Sequence, residues 1–135
     1  NRTSAAVVKF QDAKTGVWWQ VTDKAYKEKN YLESSGTAMF VFALAKGIRM
    51  HYLPATFNAA LQKAYNGMIK QFVTTDANGQ YHFIQAVAGA GLGGTPYRDG
   101  TYEYYVNEPR RDDDLKAIGP FIQACIEMEL LKKKN

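Results

Sequence analysis

The chain is poor in the residues that usually announce a chemistry. It has one cysteine and two histidines in 135 residues. A lone Cys125 excludes an internal disulfide framework and a cysteine-rich metal site. Set among Ile122, Ile126 and Met128, it reads as a buried, inert thiol. His51 and His82 stand in no H-E-x-x-H or Cys/His spacing, so no metal site is expected. They are expected to tip a helix end and a hairpin, respectively. No G-x-S-x-G elbow accompanies the serines, and no short repeat recurs. The best apolar run, Ala38 to Ala45, falls far short of the roughly 20 residues of a membrane helix, so no membrane partner is expected. No secretory leader is visible. The chain begins at Asn1 without a Met, which reads as a processed chain or a piece of a longer one. The expected compartment is the cytoplasm, with the periplasm as the alternative.

Charge of one sign is not concentrated either. The net charge is +4, but Lys132, Lys133 and Lys134 sit together at the C-terminus, where a frayed, solvated tail is expected. The other basic residues are scattered among acids. That distribution argues against a nucleic-acid partner.

What is present is enough for one domain and one moderate core: 46% hydrophobic and 22% charged residues, as in ordinary globular proteins. Ala5 to Phe10 reads as the end of a helix, Asp12 to Gly16 as a turn, and Val17-Trp-Trp-Gln-Val21 as extended. Asp23 to Asn30 is a charged loop. Residues 33–50 predict a helix whose centre is apolar on all sides, which must be covered all round. Pro54 opens a helix to about Phe72, with Phe57, Ala60, Leu61, Ala64, Tyr65, Met68, Ile69 and Phe72 on one stripe. Val73 to Thr75 and Gln80 to Ile84 flank Asp76-Ala-Asn-Gly79, a hairpin signal. A last helix, 114–131, is expected to bury Leu115, Ile118, Phe121, Ile122, Cys125 and Ile126. Asp112, Asp113 and Asp114 stand at its start, where acids suit the helix dipole. The fold class is mainly α, with helix pairs, a small β-hairpin and long decorated loops. An inside helix followed by an outside helix is what a two-layer toroid of helical hairpins requires.

Function points to the loops. Residues 95–109 carry Tyr97, Tyr102, Tyr104 and Tyr105 with Arg98 and Asp99, an aromatic and charged composition suited to a polar ring such as a sugar. Arg98 and Asp99 either pair with each other, or Arg98 offers its planar fork to a ligand carboxylate. Gly89-Ala-Gly-Leu-Gly-Gly94 matches G-x-G-x-x-G, but no amphipathic helix follows it, so a close-packed loop is expected rather than a phosphate site. Trp18 and Trp19 face opposite ways in an extended segment; one is expected in the core, the other, or Gln20, towards a pocket. Glu33 either faces a cleft or caps the helix it precedes, and Ser34 and Ser35 cap or pack.

Three stretches together resemble glycoside hydrolase families 105 and 88, the unsaturated rhamnogalacturonyl and glycuronyl hydrolases, with family 105 the nearer. They are Asp12 to Asp23; Asn30 to Phe40 with Ala43 to Gly47; and Gly91 to Tyr105 with Glu108-Pro109. The resemblance implies the C-terminal portion of one (α/α)6 toroid, a single domain portion over residues 1–135. It implies an acidic oligosaccharide ending in a 4,5-unsaturated uronic acid, a vinyl ether hydration, and no metal or organic cofactor. An aspartate gives a proton to carbon 4, water adds at carbon 5, and the hemiketal opens to release the sugar. That aspartate belongs to segments upstream in the family, so no catalytic residue is carried onto Asp23, Glu33 or Asp99. The pocket wall implied here is Trp18, Trp19, Gln20, Glu33, Ser34, Ser35, Tyr97, Arg98, Asp99 and Tyr102. An incomplete toroid leaves its inner helices exposed, so the chain is expected to be part of a longer protein or an oligomer. The alternative is a non-catalytic carbohydrate-binding or helical interaction module, or an inactive oligomeric fragment.

Overall fold

The computed structural model describes residues 1–134. Two long helices, α2 (Ser34–Arg49) and α5 (Leu115–Lys134), form its main packing pair. The residues buried on α2 are Ser34, Ser35, Thr37, Ala38, Val41, Leu44, Ala45, Gly47 and Ile48, most of them at the spacing of one broad buried stripe. Its opposite side, with Met39 and Ala43, lies open. That open side borders α1 (Arg2–Lys9) in an apolar groove of about 300 Å³ lined by Thr3, Val7, Met39, Phe40 and Ala43. The all-apolar centre of α2 is therefore covered on one side only.

α3 (Asn58–Phe72), preceded by a 3-10 turn over Ala55–Phe57, packs on α2. Its stripe follows the expected register: Leu61, Ala64, Met68 and Phe72 are buried, while Ile69 is at the edge. α5 departs from the expected stripe. Leu115, Ile122 and Ile126 are 84%, 51% and 53% exposed, and the buried residues are Ala117, Ala124, Glu127, Met128 and Leu131. Small side chains let two helices approach closely, so the alanine-bearing face meets α2 and the bulkier Leu115, Ile122 and Ile126 turn outward. Cys125 is half-buried, and the Tyr65 hydroxyl stands 3.9 Å from its sulfur. Burial pushes the Cys125 thiol above its ordinary range. α5 also runs past Leu131, and Lys132 pairs with Glu129 at 2.8 Å within it. The tail expected at Lys132, Lys133 and Lys134 is thus helical; Asn135 lies outside the described residues.

β1 (Val73–Thr75) and β2 (Tyr81–Phe83) form the hairpin, with Thr74 opposite His82. Asp76 Oδ1 accepts from the Asn78 and Gln80 amides at 2.8 and 2.9 Å, and Gly79 takes a positive φ. The Asp side chain thus organises the turn. A second ladder pairs β3 (Ala86–Val87) with β4 (Arg110–Arg111). Two-residue strands carry no period for a sequence pattern to reveal. A short helix, α4 (Tyr102–Asn107), capped by Thr101, lies inside the tyrosine segment.

Candidate functional site

α1 ends, α2 begins, α3 ends and α5 begins at one end of the molecule. Segment 83–87 ties the two helix starts together. Ser34 N donates to Gln85 O, the Val87 amide donates to Glu33 Oε1 at 3.0 Å, and Lys116 Nζ donates to Val87 O. Asp113 accepts from the Phe83 amide and Asp112 from the Gln85 amide, both at 2.9 Å, while Asp114 caps α5 through the Lys116 amide. The three aspartates thus accept from backbone amides, and Asp113 also pairs with His82 Nδ1 at 2.6 Å. At the far end of the pair, Arg49 Nε meets Glu127 Oε2 at 2.6 Å. α2 and α5 therefore run parallel, and the long loops gather where both begin.

Several residues expected on a pocket wall hold this end together. Trp18 is 2% exposed, donates its indole N–H to Val7 O at 2.8 Å, and meets the Phe40 ring edge-on. It is the core tryptophan. Trp19 is half-buried; its N–H donates to Asp12 Oδ2 at 3.1 Å, and its ring meets Tyr26. Gln20 uses its backbone to bond Tyr31 O, bringing 18–20 beside 31–33. Glu33 is buried and caps α2: Oε1 accepts from Ser35 N and Oγ, Oε2 from Gly36 N at 2.6 Å. Of the two readings of Glu33, capping is the one its contacts satisfy. Ser34 Oγ and the Tyr31 hydroxyl are buried without a hydrogen-bond partner among the described residues. Burial, then the Glu33 charge, pushes the Tyr31 hydroxyl up to about 12.

Asp12 was not singled out from sequence, yet it organises the tryptophan loop. It accepts from Thr15 N and Oγ1, Lys14 N, Trp19 Nε1 and the Tyr26 hydroxyl, the last at 2.6 Å. Burial opposes its charge, but the Tyr26, Thr15 and Trp19 hydrogen bonds outweigh that and hold the carboxyl well below the usual range. The available signal is the Asp-x-x-Thr spacing at 12–15, an Asx-type turn.

The tyrosine segment has a different character. Gly93 and Arg98 bond each other's backbone across a tight turn containing a cis Thr95–Pro96 peptide. Arg98 and Asp99 do not pair. Asp99 accepts from Thr101 N and Oγ1, and those bonds lower its pKa. Arg98 Nε donates to Gly93 O at 2.8 Å, and its two terminal nitrogens have no partner among the described residues. Tyr97 is 75% exposed. Thr95, Pro96, Tyr97, Arg98, Tyr104 and Glu108 line a cleft of about 510 Å³. The Tyr104 hydroxyl accepts from Gly91 N at 3.1 Å, and its hydrogen bond to Glu108, followed by burial, raises its pKa. Tyr104 belongs to the aromatic segment expected to suit a sugar; Glu108 is not among the expected wall residues. Their four-residue spacing across α4 was the available signal. Tyr102 lies apart from this cleft: its hydroxyl donates to Glu28 O at 2.7 Å and Lys27 Nζ sits 3.8 Å from its ring centre. Of the ten expected wall residues, the structure brings Tyr97 and Arg98 together on this cleft.

Among the described residues, no group of three or more His, Cys, Asp or Glu is placed to hold a metal ion. No helix among them is long and apolar enough to cross a membrane.

The family model described as Glycosyl Hydrolase Family 88 matches residues 1–132. The 24.9 kDa protein in the picA locus of Rhizobium radiobacter is 35% identical over 139 residues, covering 98% of this chain and 59% of its own length. The chain thus spans less than two thirds of that relative. A structure from C. acetobutylicum ATCC 824, a glycoside hydrolase from family 105, is 40% identical with a TM-score of 0.90, over 93% of this chain and 35% of its own. A possible member of family 105 from Salmonella enterica shares the fold at 24% identity and a TM-score of 0.72, over 96% of this chain and 30% of its own. The mainly helical architecture with small antiparallel sheets matches these neighbours.

Proposed function

The chain belongs to glycosyl hydrolase family 88, and on that premise we propose that it is the C-terminal part of an enzyme acting on oligosaccharides that end in a 4,5-unsaturated uronic acid. Polysaccharide lyases leave such ends, for example on rhamnogalacturonan. The sugar carries a ring carboxylate conjugated to a vinyl ether. In the reaction a donor delivers a proton to carbon 4, water adds at carbon 5 and loses a proton, and the hemiketal opens at the ring oxygen; the hemiacetal left at carbon 1 then collapses to an aldehyde, its hydroxyl proton passing to the departing oxygen of the next sugar. The proton donor comes from a segment outside this chain; this chain supplies a wall of the pocket. Arg98 receives the carboxylate, Tyr97 and Tyr104 offer faces and hydroxyls to the ring, and Glu108 accepts from a sugar hydroxyl.

The observation that carries the reading is the state of Arg98. Its Nε is pinned to Gly93 O, while its terminal nitrogens are unpaired among the described residues, at a cleft of sugar size. A guanidinium fork fixed at one side and free at the other suits a carboxylate. By contrast Arg49 is taken up by Glu127. The open apolar sides of α2 and α5 are covered in the working protein by further helices of the same polypeptide or by a second copy. The test incubates the full-length gene product with unsaturated digalacturonate and with rhamnogalacturonan-lyase products. The expected result is loss of the double bond's ultraviolet absorbance with release of the following sugar. Unchanged absorbance on every such product overturns the reading. Binding without turnover would instead mark a carbohydrate-binding module.

A further inference from the structure

The glycine-rich run 89–94 is left unused by the reading above, yet its glycines are not equivalent. A Cβ on Gly91 would stand 2.5 Å from Arg98 Nη1 and 2.9 Å from Cζ, and one on Gly94 would stand 3.1 Å from Nη2. Ordinary van der Waals separations are roughly 3.5–4.0 Å, so the Arg98 guanidinium lies where side chains on these residues would be. A Cβ on Gly89 would meet nothing within 4 Å. The seat is itself anchored: Gly91 N donates to the Tyr104 hydroxyl on α4, and Gly93 O accepts from Arg98 Nε. The atom that an alanine at position 91 would strike is the tip of a flexible side chain. At Gly16 it would be the Lys63 carbonyl oxygen, and at Gly67 the Thr15 carbonyl oxygen. Those glycines serve the scaffold. Gly91 serves one side chain.

We propose that Gly91 is a positioning residue for substrate selection: by leaving room for the Arg98 guanidinium, it aims the two terminal nitrogens at the cleft and so favours a carboxylate-bearing sugar end. The inference rests on the reading of Arg98 as the carboxylate receiver. The second and third glycines of the G-x-G-x-x-G pattern, Gly91 and Gly94, then have a cause unrelated to phosphate, because there the backbone cradles a cation of the protein itself.

A double-mutant cycle in the full-length gene product tests this, with unsaturated digalacturonate as the probe, its Kd measured by calorimetry, and KM and kcat measured alongside. Gly91→Ala is expected to weaken binding about tenfold, the scale of one charge-assisted hydrogen bond, with KM rising more than kcat falls. Gly89→Ala is expected to leave Kd unchanged. In an Arg98→Ala background, Gly91→Ala is expected to add nothing, because coupled residues are not additive. If Arg98→Ala weakens binding but Gly91→Ala does not, or if Gly91→Ala costs the same with and without Arg98, the inference falls and the carboxylate reading stands. If Arg98→Ala leaves Kd unchanged, the carboxylate reading itself falls, and the inference with it. Should Gly91→Ala fail to fold, its folding in the Arg98→Ala background would support the seat, and failure in both backgrounds would overturn it.

Discussion

Glu33 and Arg98 are both charged, and both sit at the end where α2 and α5 begin, but their surroundings differ. Glu33 is buried, and its two oxygens accept from Ser35, Gly36 and Val87. Arg98 is exposed, held through one nitrogen, and otherwise unpaired among the described residues. A saturated buried charge is part of the scaffold, because every bond it can make has been made inside the protein. A charge pinned at one atom and free at the others has capacity left for a ligand. The same division separates Asp12 and Trp18 on one side from Tyr97 and Tyr104 on the other. Substitutions in the first group should change stability, and substitutions in the second should change binding.

The largest stability effect is expected at Glu33. Glu33→Ala leaves buried amides at the start of α2 and at Val87 without an acceptor, a loss of about 3 kcal/mol. Urea unfolding would register it as a lower midpoint at an unchanged slope. A loss under about 1 kcal/mol would mean that the cap is dispensable and the comparison misplaced.

Asp12→Asn comes next. An amide group there must turn either its nitrogen towards donors that now face an oxygen or its single oxygen towards only part of the set, at a cost of about 2 kcal/mol. The pH dependence sharpens this. The Asp12 pKa is lowered in the folded state, so its contribution is complete above the unfolded aspartate value of about 3.9 and is lost as pH falls below it. Melting measured as pH is lowered through that value should show a loss that is smaller in Asp12→Asn. Identical profiles would remove Asp12 from the account.

How far the sequence reveals this division depends on the residue. The α3 stripe at Leu61, Ala64, Met68 and Phe72 follows from its period alone, because one face of that helix is buried and the other wet. The α5 stripe is not legible in the same way. That helix has two apolar faces, and periodicity favours the bulky one, whereas close helix packing selects Ala117 and Ala124. The position of the candidate site, in the aromatic loop with Tyr97 and Arg98, is visible in composition. Which tryptophan is core and whether Glu33 caps or faces a cleft are decided by partners distant in sequence, Val7 and Val87 among them. No local pattern encodes those contacts.

The smallest expected effect is at the strap between the two regions. Tyr102→Phe removes the bond to Glu28 O and should cost about 1 kcal/mol or less. The change should appear as faster amide exchange confined to residues 22–30. Faster exchange throughout α2 instead would make Tyr102 part of the scaffold.

Arg98 tests the division most directly. Calorimetric titration of unsaturated digalacturonate into the full-length gene product and its Arg98→Ala variant, with melting recorded on the same samples, reads both sides at once. Binding is expected to be at least about tenfold weaker in the variant, with stability unchanged to within about 0.5 kcal/mol. Equal affinity, or a variant that binds less only because it has unfolded, would contradict it.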